Sequence, residues 1–434
     1  MSESSSKRTD KKTEKGSEPG KQNRREFLKL SALSGAALGA GAWLSGCQPA
    51  NRGASSGNGD GPTVDRSLQM DPEWQRIKYG EWGGPGVSSQ PGPMDDILLK
   101  DYAPTHSLKL EKTEVDQAAF PVIDCHIHDY ASRVDEPFEE VLDQWVEDMD
   151  AAGVEMSVLL TVATGEEFDR LMDAYVGRYP DRFQLWCGID TGNVNDPGYS
   201  ERAAREIERC YNAGARGVGE VTDKGAGITG GPEVPMSERM HLDDDRLDAA
   251  WETCARLDMP VNVHIADHPS AWQPLGIHQE RTPDYQHFNN YGLDILSPGE
   301  LFEQRDNMLE KHPETTFIAC HLSNQMHDPT ALSAALDRYP NFYLDVSARD
   351  YEVGRIPRTA ARLFQNHQDR ILFGTDTNMK LSMYRAWWRL LESDDEFITG
   401  RVWWPYYGLD LPRETLRAMY RENARRIMNW EPTT

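Results

Sequence analysis

Two histidines separated by one residue close an apolar run at Ile123-Asp124-Cys125-His126-Ile127-His128. On an extended strand, residues two apart face the same side, so both imidazoles can reach one metal ion. Three more apolar runs end in residues of the same kind: Val261-Asn262-Val263-His264, Ile318-Ala319-Cys320-His321 and Gly374-Thr375-Asp376. A single histidine after a strand is more often structural than functional. Five metal-type residues at the ends of four runs point instead to one site that gathers imidazoles and a carboxylate.

Such a site needs a frame that brings distant strand ends together. From Ala119 onward, apolar strand-like runs alternate with amphipathic helix-like runs. Strands are expected at 119–126, 154–162, 183–189, 215–221, 260–265, 315–320, 341–346 and 370–375. Helices are expected at 137–152, 166–179, 199–213, 243–258, 298–312, 329–339, 357–367 and 379–392, with a last one at 412–429. Eight βα units predict an α/β fold of the (β/α)8 TIM-barrel type, whose catalytic residues project from the C-terminal strand ends. No Gly-rich phosphate loop follows the first strand, which argues against a doubly wound nucleotide-binding sheet.

The histidine pair on strand one, the single histidines on strands five and six and the aspartate on strand eight resemble the amidohydrolase superfamily. More narrowly, they resemble its amidohydrolase-related branch of metal-dependent hydrolases and nonoxidative decarboxylases of the aminocarboxymuconate-semialdehyde type. The likeness runs over residues 119–431 and includes the closing Tyr420-Arg421-Glu422-Asn423-Ala424-Arg425-Arg426-Ile427. The resemblance implies that His126, His128, His264 and Asp376 hold one divalent metal, with His321 beside it. Three imidazoles and one carboxylate suit Zn first, while Mn, Fe, Co and Ni bind similar sets. It also implies that Asp376 takes a proton from the attacking water and that His321 orients or protonates the oxyanion.

Where binuclear relatives carry a bridging carboxylated lysine, strand four reads Gly219-Glu220-Val221-Thr222-Asp223-Lys224. Lys224 falls in the expected loop, so one metal is expected, with Glu220 a pocket acid, an extra ligand, or a loop acid paired with an arginine. The expected activity is hydrolysis of a C–N or C–O bond at the carbonyl of a small molecule. A carboxy-lyase on the same site is the second reading, and a non-catalytic ligand- or metal-binding lipoprotein the third.

Between strand five and its helix lies a long connection, 266–296, carrying His268, Trp272, His278, Arg281, Tyr285 and His287. It suits a lid or binding loop for a carboxylated or hydroxylated ring, or a stabilising excursion over the rim. Trp403-Trp404-Pro405-Tyr406-Tyr407 could pack the last helices or cover the barrel mouth. Cys125, Cys187 and Cys320 lie in or at the ends of apolar strands, where free cysteine behaves as a small hydrophobe rather than a nucleophile.

The N-terminal end of the chain reads as an address rather than as chemistry. Residues 1–46 hold nine Lys and Arg against five acids, the run Asn23-Arg24-Arg25-Glu26-Phe27-Leu28-Lys29, and an apolar stretch closing at Leu44-Ser45-Gly46-Cys47. This predicts a twin-arginine signal peptide with a lipobox, hence an exported, extracytoplasmic protein anchored to the membrane by a lipid on Cys47. Residues 47–118 read as a Gly-, Ser- and Pro-rich tether and irregular arm ahead of the barrel at 119–431. A net charge of −25 opposes binding to nucleic acid, leaving a small molecule as the expected partner; a homo-oligomer is compatible with the sequence. Only seven lysines follow residue 46, a pattern shared by salt-adapted surfaces and by high-GC genomes.

Overall fold

A computed structural model describes residues 96–98, 101 and 105–428, apart from 230–233, 277–280, 282–284, 287, 378–379, 400–401 and 403. The twin-arginine run, Cys47, His278, His287 and Trp403 lie outside the described residues. The chain divides into Met1–Leu108 and Lys109–Thr434, and every element below belongs to the second unit.

Among the described residues eight strands form: β1 Val122–Ile127, β2 Val154–Leu160, β3 Phe183–Trp186, β4 Val218–Asp223, β5 Val261–Ile265, β6 Phe317–Ala319, β7 Phe342–Asp345 and β8 Ile371–Leu372. All pair in parallel, β1 to β3 in one run and β4 to β8 in another. Backbone bonds join the two runs into a ring. Between β3 and β4, the Cys187 N–H donates to Gly217 O at 3.0 Å and the Gly219 N–H to Cys187 O at 2.8 Å. Between β8 and β1, the Cys125 N–H donates to Phe373 O at 2.9 Å and the Asp376 N–H to His126 O at 2.9 Å. The expected (β/α)8 barrel is therefore the observed architecture.

Its helices are α1 Phe138–Ala152, α2 Gly165–Tyr175, α3 Tyr199–Asn212, α4 Asp248–Arg256, α5 Pro298–Lys311, α6 Pro329–Arg338, α7 Pro357–Asn366 and α8 Leu381–Glu392. In α1, Leu142, Trp145, Val146, Met149 and Ala152 repeat at helical spacing and are buried. The helix stops at Gly153, whose φ of +88° is a left-handed conformation that glycine adopts without a Cβ clash. The helices α5, α6 and α7 open on proline, and Ser297 with Glu300 makes a capping box on α5. α4 begins five residues later than the expected 243 because Asp244 caps a 3-10 turn, Asp245–Leu247, ahead of it. Among the described residues no helix is long and apolar enough to cross a membrane.

Apolar side chains fall into two clusters. One contains Ile123 and Cys125 of β1, Met156, Val158 and Leu160 of β2, Trp186, Ile318 and Leu372, closed by Ala424 and Met428. The other is the layer between strands and helices, and includes Val122 and Ile127 of β1. The pairing of β1 with β2 slips between Asp124 and Ile127. That irregularity leaves Ile127 facing outward with His126 and His128 facing the opposite way, as bulges beside active sites commonly do. β4 slips against β5 between Val218 and Val221, at Glu220.

Candidate metal centre

Buried polar clips hold the strand ends that carry the histidines. Asp124, wholly buried, accepts from the Thr375 N–H at 3.0 Å and the Thr375 hydroxyl at 2.7 Å, tying β1 to the end of β8. Burial raises the Asp124 pKa to about 6, against the lowering pull of these bonds. Gly374 lets the two strands meet, since a Cβ there would lie 2.8 Å from the Cβ of His126. His321 sits at the head of four consecutive left-handed residues, His321 to Asn324, with φ between 50° and 56°. Such a run is strained for residues other than glycine. It is secured by Asn324 Nδ2, which donates to Ile265 O and Ala266 O at 3.1 Å each, and by Arg305, which donates to Ser323 Oγ at 3.0 Å.

Three imidazoles are oriented by their Nδ1 atoms. His128 Nδ1 lies 2.9 Å from Leu160 O, and His321 Nδ1 lies 2.9 Å from Ser347 O. A backbone carbonyl can only accept, so Nδ1 carries a proton in both rings and Nε2 is turned to the cluster. His126 Nδ1 lies 3.0 Å from Asp345 Oδ2. Asp345 is fully buried and also accepts from Asn262 Nδ2 at 3.0 Å, from the His321 N–H at 3.1 Å and from the Ser347 hydroxyl at 2.5 Å. Burial opposes its charge, yet His126 and these donors hold its pKa at about 2. A carboxylate behind an imidazole is the usual support of a metal-ligating histidine.

The free Nε2 atoms converge on Asp376, at 3.5 Å for His128 and 3.8 Å for His126 and His321. Glu220 forms a second carboxylate, 2.5 Å from His264 Nδ1, 3.3 Å from His128 Nε2 and 3.6 Å from His321 Nε2. All six residues expected at the site are thus brought together: His126, His128, Glu220, His264, His321 and Asp376. Their division differs from the expectation. His321, rather than His264, shares its Nε2 space with Asp376, and His264 joins through Glu220. His321 also has no N–H at Nε2 with which to protonate an oxyanion. Burial and then Arg349 lower its pKa to about 4, which keeps the ring neutral.

The donors fit a divalent cation. The Nε2 atoms of His126 and His264 are buried without a hydrogen-bond partner, a costly arrangement unless a ligand completes it. His126, His321 and Asp376 can share one ion, as can His126, His128 and Glu220, or Glu220, His264, Cys320 and His321. The carboxylates also demand positive charge among them. Burial works against a charged His126, but Asp345, Asp376 and Glu220 raise its pKa to about 10. Glu220 is held well below the usual carboxylate range, burial notwithstanding, by His264 and its other imidazole partners. It is a strand residue bonded to imidazoles, not a loop acid paired with an arginine. Lys224 is not a member of this donor set: it pairs with Asp267 Oδ1 at 3.2 Å, an oxygen that lies 3.6 Å from His264 Nε2.

Asp345, Ser347 and Tyr130 were not singled out in the sequence. Asp345 ends the β7 run as His264, His321 and Asp376 end theirs, so the same rule could have found it. Tyr130, two residues past His128, donates its hydroxyl to Asp376 Oδ1 at 3.4 Å. Of the cysteines, Cys320 is buried, bonds Glu220 Oε1 at 3.3 Å, and has its thiol pKa pushed well up by burial, as expected of an unreactive residue. In the loop after β5, Arg281 is buried and donates to Glu352 Oε1 at 2.7 Å and to the Tyr351 hydroxyl at 2.6 Å. The loop cation offered for an anionic ring is therefore committed to the loop after β7. Trp404 packs edge-on to Tyr351 on that same loop, with ring centroids 6.2 Å apart.

The family model described as Amidohydrolase matches residues 123–430. No curated protein matches the chain. Among solved structures it is similar to a 2,6-dihydroxybenzoate decarboxylase from Rhizobium, at 18% identity and a TM-score of 0.45 over 71% of this chain and 99% of that one. A 5-carboxyvanillate decarboxylase from Novosphingobium aromaticivorans, complexed with manganese, gives 16%, 0.43, 72% and 97% for the same measures. A 4-oxalomesaconate hydratase from Rhodopseudomonas palustris gives 14%, 0.43, 71% and 95%.

Proposed function

Because the chain belongs to the amidohydrolase family and is an enzyme of that metal-dependent class, we propose that it hydrolyses a C–N or C–O bond at the carbonyl of a small molecule. One observation carries this reading. Asp376 lies within 3.8 Å of three imidazole Nε2 atoms while its side chain keeps 23% of its surface exposed, so one carboxylate faces both the cation site and the mouth. His126, His128, His321 and Asp376 would hold one divalent ion, with Glu220 and His264 completing the donor set. Zn suits these donors first. Bound there, the ion supplies Lewis acidity, lowering the pKa of water and polarising a carbonyl.

The protein's own groups do the rest. Asp345, the Leu160 carbonyl and the Ser347 carbonyl hold the Nδ1–H groups of His126, His128 and His321, so that each ring turns its Nε2 inward. Asp376 accepts the proton of the attacking water, and Tyr130, already donating to Asp376, is the O–H donor beside it. A carboxy-lyase is the second reading, favoured by the cationic side chain of Arg349, close enough to His321 to lower its pKa. Metal-loaded protein should release acid, amine or alcohol from a panel of amides, lactones and esters without carbon dioxide. Carbon dioxide release from a panel of aromatic acids, with the first panel inert, would assign the lyase instead.

We place the enzyme outside the cytoplasm, on the strength of the twin-arginine run and Cys47. Cys47→Ala should be exported but not lipidated, and Arg24→Lys with Arg25→Lys should block export, as read by fractionation and lipid labelling. Unaltered export of the double variant would remove the twin-arginine address.

A further inference from the structure

We propose that Arg349 is a substrate-recognition residue of this site, placed to receive a carboxylate that the substrate carries apart from its reacting group. The inference rests on the reading of the histidine cluster as the active centre.

Arg349 lies just beyond β7, and its Nη2 donates to Asn324 Oδ1. Asn324 in turn donates to Ile265 O and Ala266 O. The guanidinium is thereby tied to the end of β5 through Asn324, and it lies near enough to His321 to lower that ring's pKa. Its side chain is only 11% exposed. For so buried a charge, its partners are poor. Nη1 donates to the carbonyl of neighbouring Ala348 at 2.9 Å, the Asn324 oxygen is neutral, and Nε finds no hydrogen-bond partner. The carboxylate beside it, Glu352, stands 3.7 Å away through Oε1, and that oxygen already accepts from Arg281 at 2.7 Å.

Burying a guanidinium without an anion hydrogen-bonded to it is costly, and such costs are concentrated where a ligand later supplies the partner. The neighbouring cations do not compete for that role, since Lys224 is paired with Asp267 and Arg281 with Glu352. Tyr285 and Tyr351 lie within the electrostatic reach of Arg349, and both rings are held by the Arg281 guanidinium, which lies 5.2 Å from each ring centroid. A guanidinium matches a carboxylate with two parallel N–H donors, which gives it orientation as well as affinity.

The test uses zinc-loaded full-length protein and four probes, benzoate and the 1,2-, 1,3- and 1,4-benzenedicarboxylates, titrated by calorimetry. At least one dicarboxylate should bind about tenfold or more tightly than benzoate, the scale of a charge-assisted hydrogen bond. Arg349→Gln should bring that isomer to within about twofold of benzoate, a residue of roughly 0.4 kcal/mol or less. Arg349→Lys keeps the charge but loses the fork, so it should fall between the two. It carries the test should the Gln variant not fold. No preference in the unaltered protein, or a preference that survives Arg349→Gln, overturns the assignment and leaves the metal centre standing. Probes that bind no better with zinc than without it overturn the active-centre reading, and this inference with it.

Discussion

Asp376→Asn is expected to keep most of its metal and lose turnover by about a hundredfold or more, the scale of a positioned general base. The amide retains an oxygen that can approach the cation but cannot accept a proton near neutral pH. The geometry supports two jobs for this carboxylate. It lies 3.5 Å from His128 Nε2 and 3.8 Å from His126 and His321 Nε2, and its backbone N–H is anchored on His126 O. The anchor does not depend on the side chain, so the variant should fold with its β8 end in place. Metal content and rate must be measured on the same sample. Full turnover with full metal in Asp376→Asn would move the proton-accepting role elsewhere, with Glu220 next in line.

Glu220→Gln should fail in the opposite manner, losing metal affinity by about ten- to a hundredfold, the usual range for groups that support a metal site. Glu220 is the acid that touches His128, His264 and His321 together, and it is held ionised by them despite burial. An amide removes the charge and turns N–H donors toward imidazoles whose lone pairs are needed. Excess metal should restore much of the activity of Glu220→Gln and none of that of Asp376→Asn. Titrating both variants with zinc separates a residue that holds the ion from one that moves the proton. Activity in Glu220→Gln that is lost and does not respond to added metal would contradict the assignment.

Much of this frame is legible in the sequence because a barrel strand is an unbroken apolar run and its active end is the first polar residue after it. That rule finds His264, His321 and Asp376, and alternation finds His126 with His128. Proline and capping residues mark α5, α6 and α7 as sharply as any periodicity. Other features need three dimensions. The sequence shows Glu220 at a strand end but not that β4 slips against β5 and turns it among the imidazoles. Which of His264 and His321 faces Asp376 depends on the acceptor behind each ring, and Ser347 O lies 26 residues from His321. The partly paired state of Arg349 is likewise invisible in the chain, because Glu352 is shared with Arg281 from a loop 71 residues away.

The most direct measurement is elemental analysis of purified, active protein alongside its rate before and after chelation. Close to one divalent metal per chain is expected, with activity lost on chelation and regained on adding the ion back. Two tightly held ions per chain would contradict the single site, and a folded, metal-supplemented and active sample holding none would contradict the metal centre itself.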